Sequence, residues 1–183
     1  MNVLVLVGSL RAGSTNRTLA DAAIAHLPGG VTGTVFERLA DLPHYSEDID
    51  HDDTLHEVAR DLREAIAESD AVLLVTPEYN GSLPSAVKNA VDWASRPRGA
   101  SSIAGKPAAV IAASGSPRAA QWAREDGVKV LRVAGADVID DTVGVGSSFQ
   151  AFVDGRLADA DLDAELRDLV GRLATEVETV RAA

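Results

Sequence analysis

Near the start of the chain, Gly8-Ser9-Leu10-Arg11-Ala12-Gly13-Ser14-Thr15-Asn16-Arg17 gathers the residue types that hold an anion. Its glycines let the backbone bend, while three hydroxyls, an amide and two guanidiniums supply donors. A helix starting here adds free N–H groups and the positive end of its dipole. Gly8 and Gly13 have the spacing of a P-loop, but Ser14 stands where that motif needs lysine, which argues against ATP chemistry. A dinucleotide fingerprint fails as well, at its second glycine, in Gly8-Ser9-Leu10. What remains suits a terminal monophosphate wrapped by hydroxyls and amides. Ser14 or Thr15 also has a plainer reading, as the cap of the first helix.

A second stretch, Thr76-Pro77-Glu78-Tyr79-Asn80-Gly81-Ser82-Leu83-Pro84, suits a flat ring. Pro77 stiffens it, and Gly81 allows close backbone approach or a positive φ. Tyr79 offers a planar face, and exposed amides can bond a ring edge that alternates donors and acceptors. A simple turn into a helix begun by Pro84 explains the same residues equally well.

Both stretches need a frame that brings them together. Short apolar runs at Val3–Val7, Val31–Arg38, Ala71–Val75, Ala108–Ala113 and Asp137–Val143 read as strands, several of them buried on both faces. Between them lie helical periods: Leu55, Val58, Ala59, Leu62 and Ile66, opened by a capping box Thr54-x-x-Glu57; Val87, Ala90, Val91 and Ala94; and Leu162 to Val177. Strands alternating with helices predict an α/β doubly wound parallel sheet with helices on both faces, one domain over residues 1–183. In such a sheet ligands sit beyond the carboxyl ends of the strands, where both stretches fall. Two long polar connections, Ala40–Asp53 and Gly144–Gly155, are either functional or passive surface.

Composition narrows the chemistry. A net charge of −11 repels nucleic-acid phosphates and anionic lipid, so neither is an expected partner. The absence of cysteine excludes disulfides, thiolate nucleophiles and cysteine-ligated metals. No stretch approaches the roughly 20 apolar residues of a membrane span, and the apolar start reads as a strand, so the expected location is the cytoplasm. His51-Asp52-Asp53-x-x-His56 holds metal-capable groups, yet its place in a polar loop fits helix capping better; no metal is expected. Ser114 lacks an elbow motif and a paired histidine, so no hydrolase is expected.

Taken together, Gly8-Ser9-Leu10-Arg11-x-x-Ser14-x-Asn16 and Pro77-Glu78-Tyr79-Asn80-Gly81-Ser82-Leu83-Pro84-x-x-x-Lys88-Asn89-x-x-Asp92-Trp93 resemble the NAD(P)H-dependent FMN reductase family, which includes quinone, azo-dye and chromate reductases. The resemblance implies a flavodoxin-like fold with strand order 2-1-3-4-5. It implies FMN as cofactor and NADPH or NADH as co-substrate. The FMN phosphate falls to Ser9, Arg11, Ser14 and Asn16, and the isoalloxazine to Pro77, Glu78, Tyr79, Asn80 and Gly81. A third family contact, rich in glycine pairs, maps to Gly115 and Ser116, followed here by Pro117 instead of a second glycine.

Hydride transfer to a flavin needs no protein nucleophile or general base, so no catalytic side chain is named. The implied cycle is ping-pong: NAD(P)H delivers a hydride and leaves, then a small-molecule acceptor (free flavin, quinone, azo compound or metal oxyanion) takes the electrons. The resemblance also implies a homodimer or homotetramer, with Trp93 and Trp122 on helices used for assembly or for the core. A flavodoxin-type electron carrier is the alternative; such carriers lack an arginine at the Arg11 position and react slowly with nicotinamide.

Overall fold

A computed structural model of the chain describes residues 1–182. Five strands, β1 (Asn2–Val7), β2 (Thr32–Val35), β3 (Ala71–Thr76), β4 (Pro107–Ala113) and β5 (Asp137–Val145), form one parallel sheet in the order β2-β1-β3-β4-β5. The helices are α1 (Thr15–Ala25), α2 (Glu57–Glu68), α3 (Ser85–Ala94), α4 (Gln121–Ala134) and α5 (Ala160–Ala182). A two-residue ribbon, β6 (Phe152–Val153) against β7 (Arg156–Leu157), lies between β5 and α5. The predicted fold class and strand order are those observed.

Alternation along the central strands divides the core in two. Leu4, Leu6, Val72, Leu74 and Val110 pack under α2, α3 and α4, against residues such as Leu62, Val87 and Leu131. Val3, Val5, Leu73, Val75 and Ile111 pack on the other face against Leu19 of α1 and Leu166 and Leu173 of α5. Trp93 is fully buried, donates its indole N–H to Pro43 O at 2.7 Å and meets the Tyr45 ring edge-on. It belongs to the core.

Three local expectations change. β2 ends at Val35 rather than Arg38; Phe36 N still reaches Val5 O, and the chain then turns so that Leu39 and Leu42 enter the core. β5 runs two residues further than expected, to Val145, and its pairing with β4 shifts register between Ala108 and Val110. The capping box at Thr54 does not form. His56 caps α2, accepting from Val58 N through Nδ1, while Glu57 pairs with Arg38.

The connection after β2 is pinned rather than loose. Asp50 receives two hydrogen bonds from Arg63, at 2.7 and 2.9 Å, and Arg63 Nε also donates to Trp93 O. Those hydrogen bonds hold the Asp50 carboxyl below the usual carboxylate range, against the opposing effect of burial. The sheet's free edges differ. β2 is four residues long, whereas β5 turns Asp137, Asp140 and Asp141 outward, with Arg132 on Asp140 and Arg172 on Asp141.

Candidate flavin site

The first stretch leaves the carboxyl end of β1 beside β3. Gly8 N donates to Val75 O at 2.8 Å, and a Cβ on Gly8 would come 3.1 Å from Pro84, so the loop starts pressed against the entrance to α3. Gly13 takes φ +65, and Ser14 then caps α1, its Oγ accepting from Asn16 N at 3.2 Å. Asn16 is buried, and its amide bonds both backbone groups of Ala113, each at 2.8 Å. It ties the loop to the end of β4. Ser9 and Arg11 remain accessible, and Arg11 has no carboxylate partner among the described residues, only Ala12 O at 3.4 Å. No backbone N–H from Ser9 to Thr15 is donated to an acceptor among those residues.

The second stretch is a closed hairpin. Tyr79 N donates to Ser82 O at 3.0 Å and Ser82 N to Tyr79 O at 3.1 Å, with Asn80 at φ 53 and Gly81 at φ 75 between them. Two consecutive positive φ values define a two-residue hairpin turn for which Asn-Gly is the preferred pair. Pro77 is buried behind it and Tyr79 stands 54% exposed. Glu78 accepts from Ala123 N at 3.2 Å, placing its carboxylate on the first turn of α4 where the dipole favours it. Ser82 donates to Asp126 Oδ2 at 2.6 Å, and the Trp122 ring lies against Gly81. The hairpin is fastened to α4 from three sides.

The third stretch is crossed by a segment that the residue types alone did not reveal. Ser114 O accepts from Ser148 N, Ser116 O accepts from Ser147 N, and the Phe149 ring packs on Gly115, where a Cβ would come within 2.8 Å. Ser148 Oγ in turn meets Thr15 Oγ1 at 3.1 Å. Left-handed backbone occurs further on, at Ala119 and Ala120, both with φ 53. Arg118 lies over the Trp122 ring, 4.4 Å from its centroid.

These contacts close a circuit: the first loop to the loop after β5, that loop to Ser114–Ser116, Arg118 to Trp122, and Trp122 to the hairpin. Leu10, Tyr79, Trp122 and Phe149 are exposed around it, an apolar rim on the carboxyl edge of the sheet. A cavity of about 450 Å³ opens under the first loop towards Phe36 and Glu37; the hairpin and Gly115 do not line it. Arg17, on that cavity wall, is paired with Asp21 and Glu37, which hold its pKa above the ordinary value. Asn80-Gly81 was the available signal for the hairpin. Nothing comparable marks Trp122, Phe149 or Ser148, which reach the site only through tertiary packing.

A flavin mononucleotide asks for an anion-binding end and a flat, partly apolar shelf with free amides. The undonated N–H groups beside Arg11 answer the first requirement. The hairpin and the exposed rings of the rim, Phe149 over Gly115 among them, answer the second. The residues present fit the group.

The sequence profile of the NADPH-dependent FMN reductases matches residues 1–150. A 2-hydroxy-1,4-benzoquinone reductase from a Burkholderia species is 46% identical over 114 residues, 62% of this chain and 61% of that protein. An NAD(P)H-dependent FMN reductase from Pseudomonas aeruginosa is 41% identical over 114 residues, 62% of this chain and 60% of that protein. The matched segment thus spans about three fifths of these curated relatives. The solved structure of FerB, a flavoenzyme NAD(P)H:(acceptor) oxidoreductase from Paracoccus denitrificans, superposes with a TM-score of 0.86 at 34% identity, covering 97% of both chains. An archaeal flavodoxin shares the fold alone, at a TM-score of 0.58 and 15% identity over 97% of this chain and 99% of that one. With its profile matched from the first strand through the loop after β5, the chain belongs to the NADPH-dependent FMN reductase family.

Proposed function

We propose that this protein holds FMN at the carboxyl edge of its sheet, accepts a hydride from NADPH or NADH, and passes the electrons to a small acceptor of the quinone or flavin class. The observation that carries the reading is the run of N–H groups from Ser9 to Thr15 that meet no acceptor among the described residues, beside Arg11, which meets no carboxylate among them, in a chain of net charge −11. A dianionic phosphate satisfies those donors; a neutral ligand leaves them idle. When bound, FMN supplies the hydride-accepting chemistry, so the protein contributes placement and electrostatics.

The chain's own residues divide that work. Arg11, Ser9 and the loop N–H groups hold the phosphate, and Ser14 keeps the helix end capped beneath it. Asn16 fixes the loop to β4, and so fixes the distance between the phosphate end and the Gly115–Ser116 end. The hairpin from Glu78 to Gly81 carries its left-handed turn to the ring edge, and free amides there favour negative charge developing on the ring. Tyr79 and Trp122 border the open face that a nicotinamide or acceptor must enter. A homodimer or homotetramer is part of this reading, as is a cytoplasmic location.

The deciding experiment is an anaerobic visible spectrum of the protein mixed with FMN, then with NADPH and NADH. The expected result is a band shift on mixing and bleaching within seconds of adding one nucleotide. A shift without bleaching favours the electron carrier, and no shift overturns the assignment of both loops.

A further inference from the structure

The loop that follows β4 enters α4 through Ala119 and Ala120, both at φ 53. The Cβ of an L-residue opposes that conformation, and alanine has no side-chain polar group with which to offset it. The pair therefore depends on its surroundings to stay left-handed.

One side chain is built into that role. Arg124, on the first turns of α4, donates from Nε to Ala119 O at 3.0 Å and from Nη1 to Thr142 Oγ1 on β5 at 2.5 Å. Its guanidinium is partly buried and meets no carboxylate within salt-bridge distance among the described residues, so its contacts here are to two carbonyls, Ala119 O and Thr142 O, and the Thr142 hydroxyl. It passes through a slot at Gly144. A Cβ there would stand 2.6 Å from Arg124 Nε and 2.7 Å from Ala119 O. A bare glycine on β5, a guanidinium and a strained carbonyl make one unit, directly after the Gly115–Ser116 segment.

We propose that Arg124 is a positioning residue for the flavin: by tying Ala119 O to β5 it keeps the alanine pair left-handed and holds Gly115 and Ser116 at the cofactor. The inference rests on the FMN reading above. A purely structural arginine, joining α4 to β5, would stabilise the fold without affecting this loop in particular. The two roles separate because strain, once removed from the loop, no longer needs the brace.

The test is FMN titration, read by flavin fluorescence, on wild type, Arg124→Ala, and Arg124→Ala combined with Ala119→Gly and Ala120→Gly. Hydrogen exchange over residues 114–123 of the FMN-free proteins is the second readout. Arg124→Ala should weaken FMN by about tenfold, the loss of one hydrogen bond to a charged donor, and speed exchange in this segment. Adding the glycines, which adopt the left-handed conformation freely, should return most of the affinity. An unchanged Kd with unchanged exchange overturns the proposal, as does a loss of affinity that the glycines fail to restore. If Arg124→Ala does not fold, Arg124→Lys, which cannot span Ala119 O and Thr142 together, should give a smaller loss with the same rescue. A wild-type protein that ignores FMN overturns the reading of the loops and this role with it; FMN binding indifferent to Arg124 overturns the brace alone.

Discussion

Backbone conformation at single residues is where this site is most constrained. Of the non-glycine residues at positive φ, Asn80, Ala119, Ala120 and Ser147 all lie in loops at the carboxyl edge of the sheet. Strain concentrated in this way marks positions that the surrounding structure holds for a purpose. Ala119→Gly and Ala120→Gly should each stabilise the protein by about 0.5–1 kcal/mol, the left-handed penalty less glycine's extra chain entropy, seen as a higher urea midpoint. An unchanged or lower midpoint would show the alanines are not strained. Gly81→Ala should act oppositely, costing about 1–2 kcal/mol, because a side chain there meets both a φ of 75 and the Trp122 ring at 3.1 Å. Arg11→Ala should leave the urea midpoint in place and weaken FMN by about 10- to 100-fold, the range for a charge-assisted contact to phosphate; calorimetric titration decides it.

Among the elements, what could be read beforehand tracks local chemistry. β1, β3 and β4 were legible because Val3–Val7, Ala71–Val75 and Ala108–Ala113 are apolar without interruption, and a parallel sheet buries both their faces. The end of β2 was not, since Val35 and Phe36 run on apolar as a strand does before the chain turns and sends Leu39 and Leu42 into the core under α2 and α3. His56 displaced the expected cap at Thr54 for a similar reason: histidine rarely caps, and its imidazole serves here because the helix starts two residues late. The site itself was half legible. Donor-rich loops announce themselves, whereas the Ser147–Phe149 crossing and the Trp122 contact are products of packing. At this scale the Asp50–Arg63 pair should govern acid stability. Because the folded carboxyl titrates below its unfolded value of about 3.9, its contribution is complete above that pH and fades as pH falls through the lower folded value. Asp50→Asn should therefore cost about 1–3 kcal/mol near neutrality, with the gap to wild type closing below pH of about 4. A gap that persists in acid would assign the effect to packing.

For the molecule as a whole, a net charge of −11 means that the anionic nucleotides of the proposed function, FMN and NAD(P)H, approach against repulsion. Added salt shortens the Debye length from about 30 Å at 0.01 M to about 8 Å at 0.15 M, so the FMN association rate should rise over that range. A rate that falls instead would show that the local field of Arg11 and Arg118 outweighs the total charge.

The unequal edges of the sheet bear on how copies of this chain can meet. A strand from another molecule adding along β5 would have to cover Asp137, Asp140 and Asp141 and compete with Arg132 and Arg172 for the last two, while β2 offers too short a row of partners to hold one. Growth of the sheet across molecules, the first step towards fibrous aggregation, is thus discouraged at both ends. Any ordered assembly is left to the helical layers, so the carboxyl edge that carries the loops stays clear of inter-sheet pairing.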